Sequence, residues 1–176
     1  LIFGPLKSGK STLMNAVSGA YVSEVSSLPA YPALVYVKDG ESRKFKASTY
    51  EGESLEFKDS EAMSNAIHDA HENLAEKILE VEREGESFDP MFHYPEAIRR
   101  IDVEVPAKNL AESGSVLVDT PGLYSRMKFG YDLMTRDFRD TAACAIFVVK
   151  TDNLFFEKVF EEFNQLLGCF SRILLV

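Results

Sequence analysis

Near its amino terminus the chain reads Gly4-Pro5-Leu6-Lys7-Ser8-Gly9-Lys10-Ser11. This stretch fits the phosphate-binding loop pattern G-x-x-x-x-G-K-[ST]. Gly4 and Gly9 permit a tight turn whose main-chain N–H groups point into a concave anion site. In such a loop Lys10 reaches the β- and γ-phosphates, and the Ser11 hydroxyl ligates Mg²⁺. A chance match has a probability of roughly 1% or less, so we interpret the stretch as a nucleotide-binding loop rather than a Gly-rich turn with a stray lysine.

The residues on either side of the loop support this interpretation. Leu1-Ile2-Phe3 is an apolar run typical of the end of a buried strand, and residues 11–17 have the pattern of the first turns of a helix. The positive end of that helix, which includes Thr12, would add to the anion site.

Length and composition narrow the possibilities. The chain has 176 residues, 45% of them hydrophobic, and a net charge of −9. These values predict one domain, 1–176, with its own core. The acidic balance argues against a nucleic-acid partner. Cys144 and Cys169 each stand beside apolar residues, which favours buried thiols over a disulfide or a metal site.

The chain contains no apolar run long enough to span a bilayer and no visible signal peptide, so we expect a cytoplasmic protein. It begins inside one predicted strand and ends inside another, 172–176. We therefore expect a domain that is truncated at both ends.

Strands alternate with helices along most of the chain. Strands are predicted at 33–37, 44–48, 98–105, 115–118, 145–149 and 173–176, and helices at 59–84, 131–141 and 155–167. This order predicts an α/β fold with a mostly parallel sheet and helices on both faces. Asp39-Gly40 predicts a hairpin turn that pairs 44–48 back onto 33–37. The acidic helix at 59–84 and its neighbouring strands predict an insertion at one edge of the sheet.

A second motif, Asp119-Thr120-Pro121-Gly122, follows the strand at 115–118. A carboxylate at the carboxyl end of a central strand lies beside the phosphate loop in this class of fold. Asp119 can hold Mg²⁺ directly or through a water. Gly122 can bring its N–H close to a γ-phosphate and so sense its presence. The alternative is an ordinary strand-end aspartate in a turn.

Together, the phosphate loop, the Ser-rich segment 21–31, a strand and then Asp-Thr-Pro-Gly resemble the GTPase superclass of P-loop proteins. The interval 38–114 is much longer than a minimal small GTPase has between these motifs. A hairpin, a long acidic helix and a further strand in that interval resemble the GTPase domain of the dynamin superfamily, in particular bacterial dynamin-like proteins. The resemblance covers nearly the whole chain and implies a P-loop NTPase three-layer sandwich with an insertion over about 38–114.

The resemblance also implies roles for individual residues. Ser11 and Asp119 would bind Mg²⁺, and Lys7, Lys10 and Gly122 would take part in catalysis. Lys7 falls where some relatives stabilise charge between the β- and γ-phosphates, so we expect its ammonium to act in cis as an arginine finger does; the alternative is a solvated lysine. The implied nucleotide-binding set is Gly4, Pro5, Leu6, Lys7, Ser8, Gly9, Lys10, Ser11, Thr12, Asp119 and Gly122.

Two motifs of the superclass differ here. Relatives use a threonine in the first switch loop to bind Mg²⁺ and orient the attacking water, and residues 26–32 contain none. Ser26, Ser27 or a backbone carbonyl would substitute, or hydrolysis would be slow or lost. Relatives read guanine with [NT]-K-x-D, whereas Val149-Lys150-Thr151-Asp152 has the wrong first residue and comes one βα unit too early. We expect the true motif beyond Val176.

The implied activity is hydrolysis of GTP to GDP and phosphate with Mg²⁺. The implied partners are a second copy through the GTPase domain and, through segments outside this chain, a membrane to be remodelled. Two alternatives remain: a nucleotide-responsive binding module with little or no hydrolysis, and an ATP-specific P-loop NTPase.

Other residues have plainer interpretations. His68 and His71 share a helix face, where a metal pair is possible and a solvated acidic helix is favoured. The arginines after the second motif either contact a partner domain or pair with nearby aspartates; they are Arg126, Arg136 and Arg139. A phenylalanine stripe is predicted to pack in the core because its spacing matches a buried helix face; it comprises Phe155, Phe156, Phe160 and Phe163.

Overall fold

A computed structural model of the chain describes residues 1–5, 7–22, 31–120 and 142–176. The described strands are β1 (Ile2–Phe3), β2 (Leu34–Asp39), β3 (Lys44–Thr49), β4 (Ser54–Phe57), β5 (Ile98–Val105), β6 (Leu117–Asp119), β7 (Ala145–Phe147) and β8 (Ile173–Leu175). The described helices are α1 (Lys10–Ser18), α2 (Ser60–Arg83), α3 (Pro90–His93), α4 (Lys108–Ser113) and α5 (Glu157–Leu167), with a 3₁₀ turn at Thr151–Asn153. The predicted first switch loop and the predicted helix at 131–141 lie outside these residues, apart from the ends of the loop.

The described strands form one sheet in the order β4-β3-β5-β2-β6-β1-β7-β8. β6, β1, β7 and β8 are parallel to one another, and β5 is parallel to β2. β2 is antiparallel to β6, and β3 is antiparallel to both β5 and β4. The predicted α/β architecture is confirmed. The sheet is mixed, and its parallel pairs are concentrated in the half that carries the phosphate loop.

Helices cover both faces of the sheet. Ile2 packs in one core with Met14 of α1 and Ile67 of α2. The next residue, Phe3, packs in a second core with Val159 of α5. Because successive strand residues point to opposite faces, α1 and α2 lie on one face of the sheet and α5 lies on the other.

The predicted hairpin between β2 and β3 is wrong, because β5 lies between them. Val103 of β5 is beside Val37 of β2 on one side and beside Phe45 of β3 on the other. All three side chains are buried in the same core. The hairpin in this region instead joins β3 to β4, through a turn in which Gly52 has a φ of 95°.

The Asp39-Gly40 turn fastens β2 to β5. The Asp39 carboxylate accepts a hydrogen bond from the Ala107 N–H at 2.9 Å. The Gly40 N–H donates to the carbonyl oxygen of Val105 at 3.1 Å. The turn therefore holds the ends of two parallel strands together, although the dipeptide Asp-Gly is also typical of hairpin turns.

The long helix α2 forms as predicted. The Asp59 carboxylate caps its first turn by accepting a hydrogen bond from the Ala62 N–H at 2.8 Å. One face of the helix is buried against the sheet, at Met63, Ile67, Leu74 and Val81. Its opposite face carries acidic residues and is exposed to solvent, so the acidic helix predicted at 59–84 is amphipathic.

The predicted core packing of the phenylalanine stripe is wrong for three of its four members. Phe155, Phe156 and Phe160 are 88%, 59% and 59% exposed, respectively. Only Phe163 contacts the core, with its ring 5.3 Å from that of Phe147. The buried face of α5 is set by Val159, Phe163 and Leu166, and the other phenylalanines lie beside it.

Candidate functional site

The phosphate loop connects β1 to α1 in a tight turn. Gly4 and Gly9 have φ values of 146° and 106°, and Lys7 also has a positive φ, 60°. Gly9 caps α1, where its carbonyl accepts the first helical hydrogen bond from the Leu13 N–H at 3.0 Å. A loop of this shape next to a helix amino terminus is suited to binding an anion.

Gly4 lies where the loop passes very close to the neighbouring strand. A Cβ atom at this position would stand 2.1 Å from the carbonyl oxygen of Val148, which directly follows β7. No side chain fits that space, so glycine is required here on steric grounds as well as by its φ. The sequence motif predicts the glycine but does not reveal the contact with Val148.

Lys10 is buried, and its ammonium is held by the loop itself. Nζ donates hydrogen bonds to the carbonyl oxygens of Gly4 and Pro5, both at 3.0 Å. Burial lowers the pKa of Lys10, and the negative charge of Asp119 opposes that shift. The lysine therefore already lies within the loop, with its charge directed at the main chain that would surround a phosphate.

Asp119 ends β6 directly beside the phosphate loop. It pairs with Ile2 across the parallel strands β1 and β6. Thr120 fixes this position, since its hydroxyl donates to the Ile2 carbonyl oxygen at 3.0 Å and its N–H approaches the same oxygen at 3.3 Å. The structure thus brings Asp119 and Lys10 together from distant parts of the sequence. Sequence reasoning assigned no role to Thr120, although it lies within the quoted motif.

The electrostatics of Asp119 are those of a carboxylate kept from water. Burial raises its pKa to about 6, against the opposing effects of the Lys10 charge and the hydrogen bond from the Thr120 N–H. Its Oδ1 atom is buried and has no hydrogen-bond partner among the described residues. A buried, unpaired carboxylate oxygen is costly unless a cation or donor completes it.

These residues fit a magnesium ion. Mg²⁺ prefers oxygen ligands and commonly uses one or two protein oxygens together with phosphate oxygens and waters. Asp119 supplies a carboxylate with an unpaired oxygen, and the half-buried Ser11 in the first turn of α1 supplies a hydroxyl. No group of three or more potential His, Cys, Asp or Glu ligands occurs in the described part of the chain, so an all-protein metal cage is not present there.

The remaining predicted site residues are distributed around the loop. Ser8 is buried, and its Oγ has no hydrogen-bond partner among the residues that the structure describes. Its N–H donates to the Pro5 carbonyl oxygen at 3.2 Å. Lys7 and Thr12 are exposed at the surface of the loop. Leu6 and Gly122 lie outside the described residues, as do Ser26, Ser27, Arg126, Arg136 and Arg139.

The two histidines of α2 do not form a metal pair with further ligands in the described structure. His68 is exposed, with its Nε2 3.7 Å from the Glu72 carboxylate one turn later. His71 packs edge-on against the ring of Tyr31, with ring centroids 6.3 Å apart. The tyrosine hydroxyl accepts a hydrogen bond from the Ile98 N–H at 2.9 Å. His71 therefore packs against Tyr31, which anchors the carboxyl-terminal end of the predicted first switch loop.

Comparisons with known proteins identify the family and agree with the fold. A sequence model of the Dynamin family matches residues 1–171. Among solved structures, the chain is similar to one described as an oligomerised bacterial dynamin pair that provides a mechanism for the long-range sensing and tethering of membranes. The two chains share 19% identity with a TM-score of 0.61, over 99% of this chain and 26% of that chain.

A second solved chain with the same description shares 14% identity with a TM-score of 0.45, over 99% of this chain and 29% of that one. No curated protein matches the chain. The chain thus spans between a quarter and a third of the length of these solved relatives. In its described part, no helix has the length and apolar character needed to cross a membrane.

The strand–loop–helix unit, the buried lysine and the neighbouring strand-end aspartate define a P-loop NTPase domain. Because the family match extends over nearly all of the sequence, the chain belongs to the dynamin family.

Proposed function

We propose that this domain binds GTP with Mg²⁺ and hydrolyses it to GDP and phosphate. The observation that carries the proposal is the meeting of two distant segments at one edge of the sheet. Lys10 is buried within the phosphate loop, where its ammonium donates to main-chain carbonyl oxygens. Asp119 is the last residue of the adjacent parallel strand, and one of its carboxylate oxygens has no hydrogen-bond partner among the described residues. Family membership supports guanine as the base.

In the proposed mechanism the loop exchanges its internal contacts for contacts with phosphate. The Lys10 ammonium would leave the Gly4 and Pro5 carbonyl oxygens and turn to the β- and γ-phosphates, while the amides at the start of α1 hold the phosphate oxygens. Ser11 and Asp119 would hold Mg²⁺, which supplies charge stabilisation when it is bound. Gly122 would sense the γ-phosphate through its N–H.

Lys7 is proposed to stabilise the charge that develops between the β- and γ-phosphates. Its backbone lies at a φ of 60° and its side chain is exposed at the loop surface. Since no described residue pairs with its ammonium, the Lys7 side chain can turn over the phosphates without breaking a contact among the described residues. This is the cis equivalent of an arginine finger.

Calorimetry with GTP, GDP and ATP, each with and without Mg²⁺, tests the binding proposal. Wild-type protein should bind GTP in a magnesium-dependent way and should bind ATP much more weakly. Lys10→Ala removes a charge-assisted phosphate contact, and we expect about a tenfold to hundredfold loss of affinity. Lys108→Ala, which removes an exposed lysine of α4, should bind like the wild type. Preferential ATP binding would overturn the guanine assignment in favour of an ATP-specific enzyme.

The absence of a threonine from residues 26–32 favours a second candidate, a nucleotide-responsive binding module with little hydrolysis. Single-turnover measurement of phosphate release separates the two. Release much faster than the spontaneous hydrolysis of GTP supports the enzyme, and binding without release supports the module.

We further propose that two copies associate through this domain when nucleotide is bound. Residues 150–156 follow β7 and Val148 in the chain, and the Val148 N–H donates to the carbonyl oxygen of Phe3, the residue before the phosphate loop, at 2.8 Å. Phe155 and Phe156 follow Val148 closely in the chain and are largely exposed, and exposed aromatic groups of this kind are typical of interfaces. Phe155→Ser should reduce nucleotide-dependent dimerisation in sedimentation measurements.

We place the whole protein in the cytoplasm, with any membrane contact made by segments outside these residues.

A further inference from the structure

The chain turns back at the end of α1. Gly19, which follows the helix, has a φ of 66°, and its N–H donates to the Asn15 carbonyl oxygen at 3.0 Å. A left-handed glycine of this kind is a common way for a helix to end. The buried Ser18 hydroxyl holds the next residue, since it accepts a hydrogen bond from the Ala20 N–H at 3.2 Å. The chain therefore leaves α1 through an ordered turn.

Asn15 holds the returning chain beside the helix. Its Oδ1 accepts a 2.7 Å hydrogen bond from the Val22 N–H. Val22 is only 3% exposed and packs in the same core as Met14, so losing the bond would leave the N–H of a buried residue without its partner, which is costly. Because Val22 contacts a residue one turn before the end of α1, the chain has turned back along the helix by this point.

Asn15 and Ser11 share a face of α1. They are four residues apart, a spacing that places two side chains on one face, about 6 Å apart along the helix axis. Side chains in an α-helix also lean toward its amino terminus, so the Asn15 side chain is directed toward the turn that contains Ser11. The predicted first switch loop, 21–31, therefore begins about one helical turn from the residue proposed to bind Mg²⁺.

The far end of the loop is fixed elsewhere in the fold. Tyr31 is buried, and its hydroxyl accepts the hydrogen bond from the N–H of Ile98, the first residue of β5. At the near end, Arg43 adds an exposed contact by donating to the Tyr21 carbonyl oxygen at 3.2 Å. Asn15 thus ties the start of the loop to the helix that follows the phosphate loop, whereas Tyr31 ties its end to β5.

We propose that Asn15 is a positioning residue for GTP hydrolysis. By holding Val22, it sets the point from which the first switch loop leaves α1, and so how that loop meets the magnesium site at Ser11. Small errors in such positioning are expensive for a reaction that depends on the alignment of its groups. The inference rests on the proposed function. It gives Asn15 no contact with nucleotide, so GDP, which has no γ-phosphate for the loop to meet, should bind without its help.

Single-turnover phosphate release and calorimetry with GDP test the role of Asn15. Asn15→Ala should slow hydrolysis about tenfold to hundredfold and leave GDP affinity nearly unchanged. Asn15→Asp keeps an oxygen acceptor of the same reach and should retain most of the rate. Asn15→Ser, whose hydroxyl is too short to reach Val22, takes the place of the alanine variant if that variant does not fold. Equal losses of rate and of GDP affinity would make the residue merely structural and overturn the proposal.

Asn109→Ala is the matched control, because it removes a different side-chain hydrogen bond to α1. The Asn109 Nδ2 atom donates to the Val17 carbonyl oxygen at 3.1 Å, and its loss should change neither hydrolysis nor GDP affinity. Hydrogen exchange at the Val22 N–H supplies a direct readout: it should be faster in Asn15→Ala and restored in Asn15→Asp.

The outcomes separate this inference from the function on which it rests. Wild-type protein that releases phosphate no faster than the spontaneous reaction overturns the proposed hydrolysis and this role with it. Wild-type protein that hydrolyses GTP, with Asn15→Ala hydrolysing it equally fast, overturns only the role of Asn15.

Discussion

The hydroxyl of Thr120 donates a 3.0 Å hydrogen bond to the carbonyl oxygen of Ile2, 118 residues earlier in the chain. Ile2 belongs to the strand that enters the phosphate loop, and Thr120 directly follows the strand-end aspartate. The bond therefore sets the position of Asp119 relative to Lys10, and both sides of the proposed magnesium site depend on it.

Replacing Thr120 tests this connection. Thr120→Val keeps the shape of the buried side chain and removes the donor, while the Thr120 N–H at 3.3 Å still partly satisfies the Ile2 oxygen. We expect a loss of about 1 kcal/mol in the free energy of unfolding and weaker magnesium-dependent nucleotide binding. Chemical denaturation and calorimetry measure the two effects. Thr120→Ser keeps the hydroxyl, so it should lose less of both; equal losses in the two variants would contradict the role given to the bond.

Gly4→Ala should damage the fold of the loop. The added Cβ would meet the Val148 carbonyl oxygen at 2.1 Å, and the φ of 146° is unsuited to alanine. We expect destabilisation of about 3 kcal/mol or more and loss of nucleotide binding, measured by denaturation and calorimetry. Gly52→Ala is the matched control. Its φ is 95° but no atom lies within 4 Å of its added Cβ, so only the backbone strain of about 1–2 kcal/mol remains. Equal destabilisation by the two changes would argue against the steric explanation.

Stability without metal should depend on pH through Asp119. Its pKa is about 6 in the folded chain and about 3.9 when unfolded. The folded state therefore binds the proton more tightly, and this contribution to stability is greatest below pH ~4 and decreases as the pH rises to about 6. Asp119→Asn should raise the free energy of unfolding at pH 7 by about 1–3 kcal/mol and change little at pH ~4.

Denaturation in EDTA at the two pH values measures this effect. Asp69→Asn, at an exposed position of α2, changes the net charge equally and leaves the buried cluster intact, so it should show no such gain at pH 7. The Asp119→Asn variant should at the same time lose magnesium-dependent nucleotide binding. If the Asp119→Asn variant proved less stable than the wild type at neutral pH, the Asp119 carboxylate would stabilise the metal-free protein instead of destabilising it.

Lys7→Ala tests the proposed charge stabilisation. If the Lys7 ammonium acts as an arginine finger does, the rate of single-turnover hydrolysis should fall about 10³-fold or more, with nucleotide affinity changed far less. Phosphate release under single-turnover conditions and calorimetry measure the two quantities. Lys7→Arg keeps a cation and should retain part of the rate. An unchanged rate in Lys7→Ala would show that this lysine is simply solvated.

The sequence predicted the half of the fold that carries the site, because short motifs describe local geometry directly. The loop requires Gly4 and Gly9 because their φ values, 146° and 106°, are ones that residues with a Cβ rarely adopt, and this holds in any fold with this turn. The placement of Asp119 beside it follows from parallel strands whose carboxyl ends meet at one edge. The Asp59 cap and the buried face of α2 were predictable for the same reason, since both depend on residues a few positions apart.

Strand pairing and the exposure of α5 were not predictable in this way. Asp39-Gly40 has the residues of a hairpin turn, but its hydrogen bonds go to residues more than 60 positions later. The strand pairing is decided by the contacts of β5 with β2 and β3. No short sequence motif predicts these contacts, because they join residues far apart in the chain. The prediction that the phenylalanine stripe packs in the core was wrong because aromatic residues indicate only a general preference for burial. In the structure Val159 and Leu166 already occupy the face of α5 that meets the sheet.

The position of β5 between β3 and β2 also affects how the chain folds while it is being synthesised. A ribosome releases β2, β3 and β4 well before β5, which must then enter between strands that are already complete. Until residues 98–105 emerge, the facing edges of β2 and β3 have unpaired backbone groups, and such edges can pair with other chains. Nascent chains that stall before this point should therefore be especially prone to aggregation, and folding of the finished domain should be slow because its sheet closes through distant contacts.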